Sequence, residues 1–419
     1  ARAIGPSSER TASGIRRSGA IGDGRGSWFD PAEVERLASR GAGRRAPRAA
    51  DPVIRTAVTL IRDGLHYRGR DATELARSAS FETVAHWLWV GQWRPDLRFT
   101  APPEAVEQAR TALAALPDAT RVTDRLRVIA GVVASTDPMR FNTEPDAVAA
   151  TGGALLAALV DALPPVEPAT ARSWTAGHGR TRTGVRRAAG APPDTDTPSL
   201  VGGLATRLWP RLTAESPTPP AVAVLNAALV LLADHDLAAS TVAARVAAST
   251  RAHPYAVVAA GLSAFEGPLH GAAASHAYRL LGAAIVSGDP VGVYSEALRT
   301  DGRVDGFAQP AHPLYPDGDV RARTLLAMLD AVPAAAEVRA AIDGLLDAAT
   351  RRSPRQPTVE FALAALVHSC GMTPDAGEGI FAVARTAGWL AHAMEEYREP
   401  GLRFRFHGTY TGDRPSPGS

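Results

Sequence analysis

The chain has 419 residues, 45% hydrophobic and 6% aromatic, which is enough to bury a large core as one big domain or as two to three ordinary ones. Its formal net charge is +2, so the overall balance points neither to a nucleic-acid binder nor to a membrane-surface protein. All 45 basic residues are arginines, which excludes lysine Schiff bases, lysine-anchored pyridoxal phosphate and a Walker-type phosphate lysine. Bidentate recognition of carboxylates and phosphates remains as the cationic chemistry.

Residues 1–50 form a basic appendage of ten arginines against five acids, ending in "RGAGRRAPRAADP". Within it, "WFDPAEVERLASR" offers Asp30 as an N-cap and Pro31 as the first helical residue. From about residue 51 the pattern predicts helix almost throughout. "DPVIRTAVTLIRDG" opens on a possible cap at Asp51, and the next stretch spaces Leu75, Phe81, Val84 and Leu88 as one helical stripe. "TEPDAVAATGGALLAALVDAL" and "PAVAVLNAALVLLADHDLAASTVAARVAAST" read as long Ala/Leu/Val helices, separated by a Pro-, Gly- and Arg-rich loop. No apolar run reaches the roughly 20 residues of a membrane helix, and no secretion pattern opens the sequence, so a soluble cytoplasmic protein is expected. The single cysteine, Cys370, excludes an intrachain disulfide and a thiolate cluster and reads as a small buried residue. The expected fold class is all-α.

Four separated stretches carry chemistry. "ADHDLAAST" places His235 near the end of an apolar helix, and "FEGPLHG" pins His270 in a Gly/Pro turn. "GFAQPAHPLYPDGDVRAR" presents Gln309 and His312 on a loop and then Arg321 and Arg323 on a helix. "PTVEFALAAL" sets Glu360 between apolar neighbours, and "FAVARTAGWLAH" does the same for Arg385. An acid or a guanidinium among apolar residues must be paired, at an edge, or functional. A lone histidine at a helix end is most simply a satisfied core or capping residue. Taken together, imidazoles, one carboxylate and arginines suit a polycarboxylate substrate handled by proton transfer. No thiolate pair and no histidine pair at ligand spacing beside a carboxylate suggests a metal site.

These stretches, with "GLHYRGRDATELARSASFETVAHWLWVGQW", "YPDGDVRA" and "RFRFHGTYTG", resemble the citrate synthase family, including 2-methylcitrate synthases, from about residue 55 to the C-terminus. The resemblance implies a helical homodimer. A large domain would span 51–274 and 371–419, and a small domain over 275–370 would close over the substrate. It further implies condensation of an acyl-CoA with an α-keto dicarboxylate such as oxaloacetate through an enol, with no permanently bound cofactor. His270 would stabilise the enol, Glu360 would take the place of the catalytic aspartate, and His235 would contact the keto acid. Arg321, Arg385 and Arg405 would hold its carboxylates, Arg405 reaching in from the other subunit. Arg351, Arg352 and Arg355 would meet the CoA phosphates.

The sequence departs from the family pattern at four places. Gln309 stands where the family has a carbonyl-polarising histidine, with His312 three residues on as a substitute. Glu360 is one methylene longer than aspartate, Ala238 replaces an asparagine, and "GAAA" follows His270. The altered positions surround the electrophilic carbonyl and the base, while the arginines are retained, which favours an enzyme with an altered substrate. The competing reading is a non-catalytic homologue that senses a ligand or binds DNA through residues 1–50, where "GDGRGSWFDPAEVERLASR" resembles a truncated winged helix-turn-helix.

Overall fold

The computed structural model describes residues 54–62, 64–168, 200, 202–308, 314–351, 355–405, 408–409 and 411–412. The basic stretch 1–50, the expected cap Asp51, most of the Pro/Gly/Arg-rich loop, and Gln309, His312 and Arg352 lie outside them.

The first described elements correct the helical expectation. Thr59–Ile61 (β1), Leu65–Tyr67 (β2) and Arg70–Asp71 (β3) form an antiparallel ribbon in the order β1-β2-β3, with Thr59 opposite Tyr67 and His66 opposite Asp71. The residues of β1 include the β-branched Thr59 and Ile61, which favour a pleated surface over a helix. Arg68 and Gly69 close the second hairpin with φ of 46° and 82°, the left-handed pair whose twist matches the flanking strands. Leu65 and Tyr67 are fully buried, so the ribbon sits on the helical core.

After the ribbon the regular elements among the described residues are helices, as expected, apart from an isolated bridge between Phe307 and Pro357. Ala72–Ser78 (α1) is capped by the Asp71 carboxylate, which accepts from the Thr73 and Glu74 N–H groups. Phe81–Val90 (α2) starts at the Ser80 hydroxyl and stops at a left-handed Gly91. The predicted stripe of Leu75, Phe81, Val84 and Leu88 is buried. Pro103–Ala114 (α3), Val122–Thr136 (α4), Pro145–Asp161 (α5), Leu204–Leu212 (α6) and Pro219–Leu232 (α7) follow. The long helix expected across 220–250 is broken: α7 ends at Leu232, and Ala239–Ser249 (α8) starts after a turn in which Asp236 takes φ 54°. Pro254–Phe265 (α9) leads into the His270 turn.

Ala273–Ser287 (α10), Pro290–Asp301 (α11), Val320–Leu329 (α12), Ala336–Thr350 (α13) and Val359–Ser369 (α14) pack chiefly on one another. The final helix, Ala376–Glu396 (α15), is buried along nearly its whole length and packs against α2, α4, α5, α7, α8 and α9. A helix buried on all faces is the axis of its domain. Gly388 lets it approach the α7–α8 turn: a Cβ there would collide with the Asp234 carboxylate and the Ala233 carbonyl, which instead accepts the Gly388 N–H at 2.9 Å. No helix among the described residues is long and apolar enough to cross a membrane.

Candidate active site

His270 is held by its turn. Its N–H donates to Gly267 O at 2.9 Å and that of Gly271 to Phe265 O at 2.8 Å; a Cβ on Gly271 would strike the Phe265 ring and carbonyl. The ring stands edge-on to Phe265 and Phe381, with centroids 5.2 Å and 6.1 Å away. Its Nε2 lies 2.8 Å from Ser240 Oγ at the start of α8, and that oxygen accepts from Trp389 Nε1 at 3.1 Å. With Ser240 fully buried, its hydroxyl hydrogen goes to His270 Nε2, which leaves the ring hydrogen on Nδ1. Burial, and secondly Arg385, push His270 down to about 4. Near neutral pH it is therefore an uncharged hydrogen-bond donor.

His235 sits in the turn that breaks α7 from α8, and its Nε2 is 2.9 Å from Tyr315 Oη. The Tyr315 hydroxyl is pushed up to about 12, chiefly by burial, so it stays protonated. Arg321, in the first turn of α12, lies 5.5 Å from the Tyr315 ring centroid. Asp319 grips Arg321 with two parallel bonds of 2.9 and 2.8 Å, and this pairing outweighs burial and keeps the guanidinium charged. The same carboxylate accepts the Val359 N–H at 3.0 Å, so the backbone just before Glu360 is tied to the clamp on Arg321. Glu360 itself is half-buried in the first turn of α14, and its charge acts on both Tyr315 and Arg321.

Arg385 is the most exacting group. It is 1% exposed on α15 and donates Nε–H to Leu232 O at 2.9 Å. Its Nη1 and Nη2 are buried without a hydrogen-bond partner, 4.8 Å from the Phe381 ring centroid to the guanidinium carbon. Burial pushes the guanidinium down, and Asp234 acts against that push. A buried guanidinium with two unpaired nitrogens has the chemistry to receive an anion.

His270, Glu360, Arg321 and Arg385 thus form one electrostatically connected group, which His235 joins through its hydrogen bond to Tyr315, drawn from five segments of the chain. Of the other expected residues, Arg351 and Arg405 are exposed, and Arg355 is half-buried with Nη1 lacking a partner. Gln309, His312 and Arg352 lie outside the described residues. Cys370 is buried and its thiol pushed up to about 12 by burial, which suits the packing role expected for it. No group of three metal-ligating side chains converges among the described residues. A cavity of about 1080 Å³ lined by α3, α4 and the start of α15 contains none of these residues, so chemistry rather than volume locates the site. Sequence reasoning missed Ser240, Tyr315, Asp319 and Asp234. Each is a polar side chain one to five residues from a chosen one, and only the fold shows which of them turn inward.

The profile of the family described as "Citrate synthase, C-terminal domain" matches residues 50–405. The chain belongs to the citrate synthase family. It is 29% identical to citrate synthase 2 of Bacillus subtilis over 88% of this chain and 96% of that protein. It is 26% identical to 2-methylcitrate synthase 2 of Corynebacterium glutamicum over 81% of this chain and 87% of that protein. Among solved structures, a citrate synthase of Pyrobaculum aerophilum superposes with a TM-score of 0.66 at 22% identity, covering 87% of this chain and 92% of that one. A citrate synthase of Thermoplasma acidophilum, solved with carboxymethyl coenzyme A and oxaloacetate, gives 0.63 at 20% identity over 88% of this chain and 96% of that one. The structural likenesses show the fold; the family relationship supports an enzyme of the citrate synthase type.

Proposed function

We propose that this protein condenses an acyl-CoA, acetyl-CoA or propionyl-CoA, with an α-keto dicarboxylate of the oxaloacetate class, and hydrolyses the resulting thioester. Glu360 removes the proton from the thioester α-carbon while the Nδ1–H of neutral His270 bonds the thioester oxygen and stabilises the enol. The enol carbon attacks the keto carbonyl, and His235 orients the keto acid. Arg321 and Arg385 receive its two carboxylates, with Arg405 supplied by the partner in a homodimer. Arg351, Arg352 and Arg355 meet the CoA phosphates, where the unpaired Nη1 of Arg355 offers a donor.

The observation that carries this reading is Arg385. Two buried, unpartnered Nη groups beside a neutral histidine are what a dianionic substrate and an enolising thioester require together. The test is release of CoA, followed with a thiol reagent, from acetyl-CoA or propionyl-CoA in the presence of oxaloacetate. Mass spectrometry of the product and a Glu360→Gln control accompany it. Turnover that disappears in the control supports the reading, and failure of the wild type to turn over either thioester refutes it. A regulatory role gains nothing from the relatives, which are named as synthases.

The donor to the keto carbonyl has two candidates, Gln309 and His312. Tyr315, whose hydroxyl meets His235, is three residues from His312 and six from Gln309. Three residues span at most about 10 Å, and an imidazole can carry a charge and a transferable proton that an amide cannot. Separate Gln309→Ala and His312→Ala variants decide it by which one loses about 100-fold or more in kcat.

A further inference from the structure

The α7–α8 turn is built around a carboxylate that touches no substrate in the reading above. Asp234 is fully buried, and its Oδ2 accepts three bonds: from Thr59 Oγ1 at 2.6 Å, from the Asp236 N–H at 3.1 Å and from His392 Nε2 at 3.2 Å. The bond to Asp236 closes a local turn over His235 and holds Asp236 in its left-handed conformation, which a non-glycine residue keeps only when its surroundings impose it. Burial opposes ionisation of Asp234, but His392, Arg385 and the Thr59 hydroxyl outweigh it.

Behind Asp234 the chain of contacts continues. His392 Nδ1 lies 2.9 Å from Arg245 Nη1, and an arginine can only donate. The imidazole therefore accepts at Nδ1, and its hydrogen is fixed on Nε2, facing Asp234. Arg245 is in turn held by Glu395 at 2.7 Å and by Glu396, which also receives both arms of Arg403 at 2.6 Å. The centre of this network lies in the core, with Arg245 1% exposed and His392 and Glu396 fully buried, while Glu395 and Arg403 are half-buried at its edge.

We infer that His392 is a positioning residue for the keto-acid half of the site, acting through Asp234 to set the turn that aims His235. The inference rests on the proposed function only in naming the ligand whose binding reports that turn. Arg245 selects the tautomer, His392 donates to Asp234, Asp234 captures the Asp236 N–H, and His235 projects toward Tyr315. The carboxylate also sits near Arg385, so its orientation sets the field on the second contact with the same ligand.

Two variants of the full chain separate positioning from packing. His392→Phe keeps the volume and loses both bonds. His392→Asn keeps an acceptor near Arg245 but is too short to reach Asp234. Dissociation constants for oxaloacetate and for free CoA are measured by calorimetry on each, with near-ultraviolet circular dichroism as the folding control, and His392→Gln, which can span both partners, as the rescue. The expected result is an oxaloacetate affinity weakened about tenfold or more in the Phe and Asn variants, CoA affinity unchanged within about twofold, and recovery in the Gln variant. Should the Phe variant fail to fold, the Asn and Gln pair carries the comparison. Oxaloacetate binding unchanged in the Asn variant, or weakened equally with CoA, overturns the inference and leaves the proposed function standing. Absence of oxaloacetate binding by the wild type overturns both.

Discussion

Arg385→Met removes the guanidinium while keeping a long apolar side chain over Phe381. The one hydrogen bond the substitution removes within the protein is that from Nε–H to Leu232 O, since the Nη groups have no protein partner. In the complex a substrate carboxylate would complete a buried, charge-assisted pair. Removing one partner of such a pair costs about 3–5 kcal/mol, which is roughly 150- to 4,000-fold in affinity. A ligand at 100 times its Kd stabilises by about 2.7 kcal/mol, and with an unfolding entropy of about 2.1 cal/mol/K per residue each kcal/mol moves Tm by only about 1 °C in a chain of 419 residues. Oxaloacetate at that concentration should therefore raise the wild-type Tm by about 3 °C and leave the variant nearly unmoved. The readout is the difference between scans with and without ligand, so a changed baseline stability of the variant does not confuse it. A variant that keeps the full shift, or whose kcat/KM falls less than tenfold, refutes the assignment of Arg385 as a carboxylate receptor.

Ser240→Ala leaves His270 Nε2 and Trp389 Nε1 without their shared partner and frees the imidazole to adopt the wrong tautomer; kcat should fall by about 10- to 100-fold with KM for the keto acid nearly unchanged, measured by steady-state CoA release. The depressed pKa of His270, about 4 against 6.5 for an ordinary histidine, fixes a sign: the site needs the neutral ring, so no loss of activity traceable to His270 should occur as pH falls from 8 to 5. The same depression makes the unfolded chain the stronger proton binder between those two values, so this residue's contribution to stability is present above the ordinary histidine pKa and is lost as pH falls toward 4. An activity inflection near 6.5 that vanishes in a His270 variant would contradict the burial argument. Glu360→Asp retracts the carboxylate by about one bond length while Asp319 keeps the backbone in place; a displacement near 1 Å predicts a loss of about 100-fold in kcat if the site is built for glutamate. An unchanged or faster Asp variant would mean that the base reaches the thioester from a backbone set for the shorter acid.

The helical class was legible because the apolar spacing at Phe81, Val84 and Leu88 fits a helix and burial bears it out, although Leu75 falls on the separate helix before it. Two local features were not. The β-ribbon at 59–71 is too short to show alternation, and its evidence lies in the Arg68–Gly69 hairpin pair, whose meaning depends on φ. The break at 233–238 carries no glycine or proline; it is made by Asp234 bonding Asp236 N–H and by the contact with Gly388, more than 150 residues away in sequence. Of the site, the motif histidines and arginines could be read directly because they stand out against alanine-rich surroundings. Ser240, Tyr315 and Asp319 could not, since each is an ordinary residue type whose role lies in a partner supplied by another segment.

One physical consideration bears on whether the site is still in use. Arg385 with its unpaired Nη groups, Asp234 with Oδ1 lacking a partner, and the left-handed Asp236 lie on two elements packed together at Gly388. Each is unfavourable to folding: buried polar atoms without partners cost about 1–3 kcal/mol apiece, and the strained backbone adds a similar amount. A scaffold that binds nothing here would be more stable with leucine at 385 and glycine at 236. The unpaired Nη groups of Arg385 are expected of a site preorganised for an anion, where a ligand carboxylate would supply the missing acceptor. The departures from the family pattern are Ala238, at the end of the same turn as Asp236, Gln309, Glu360 and the run after His270. The resemblance puts those departures at positions expected to meet the carbonyl and the thioester, so on the proposed reading they bear on which acyl group and which keto acid react, while the arginines expected at the carboxylates are retained.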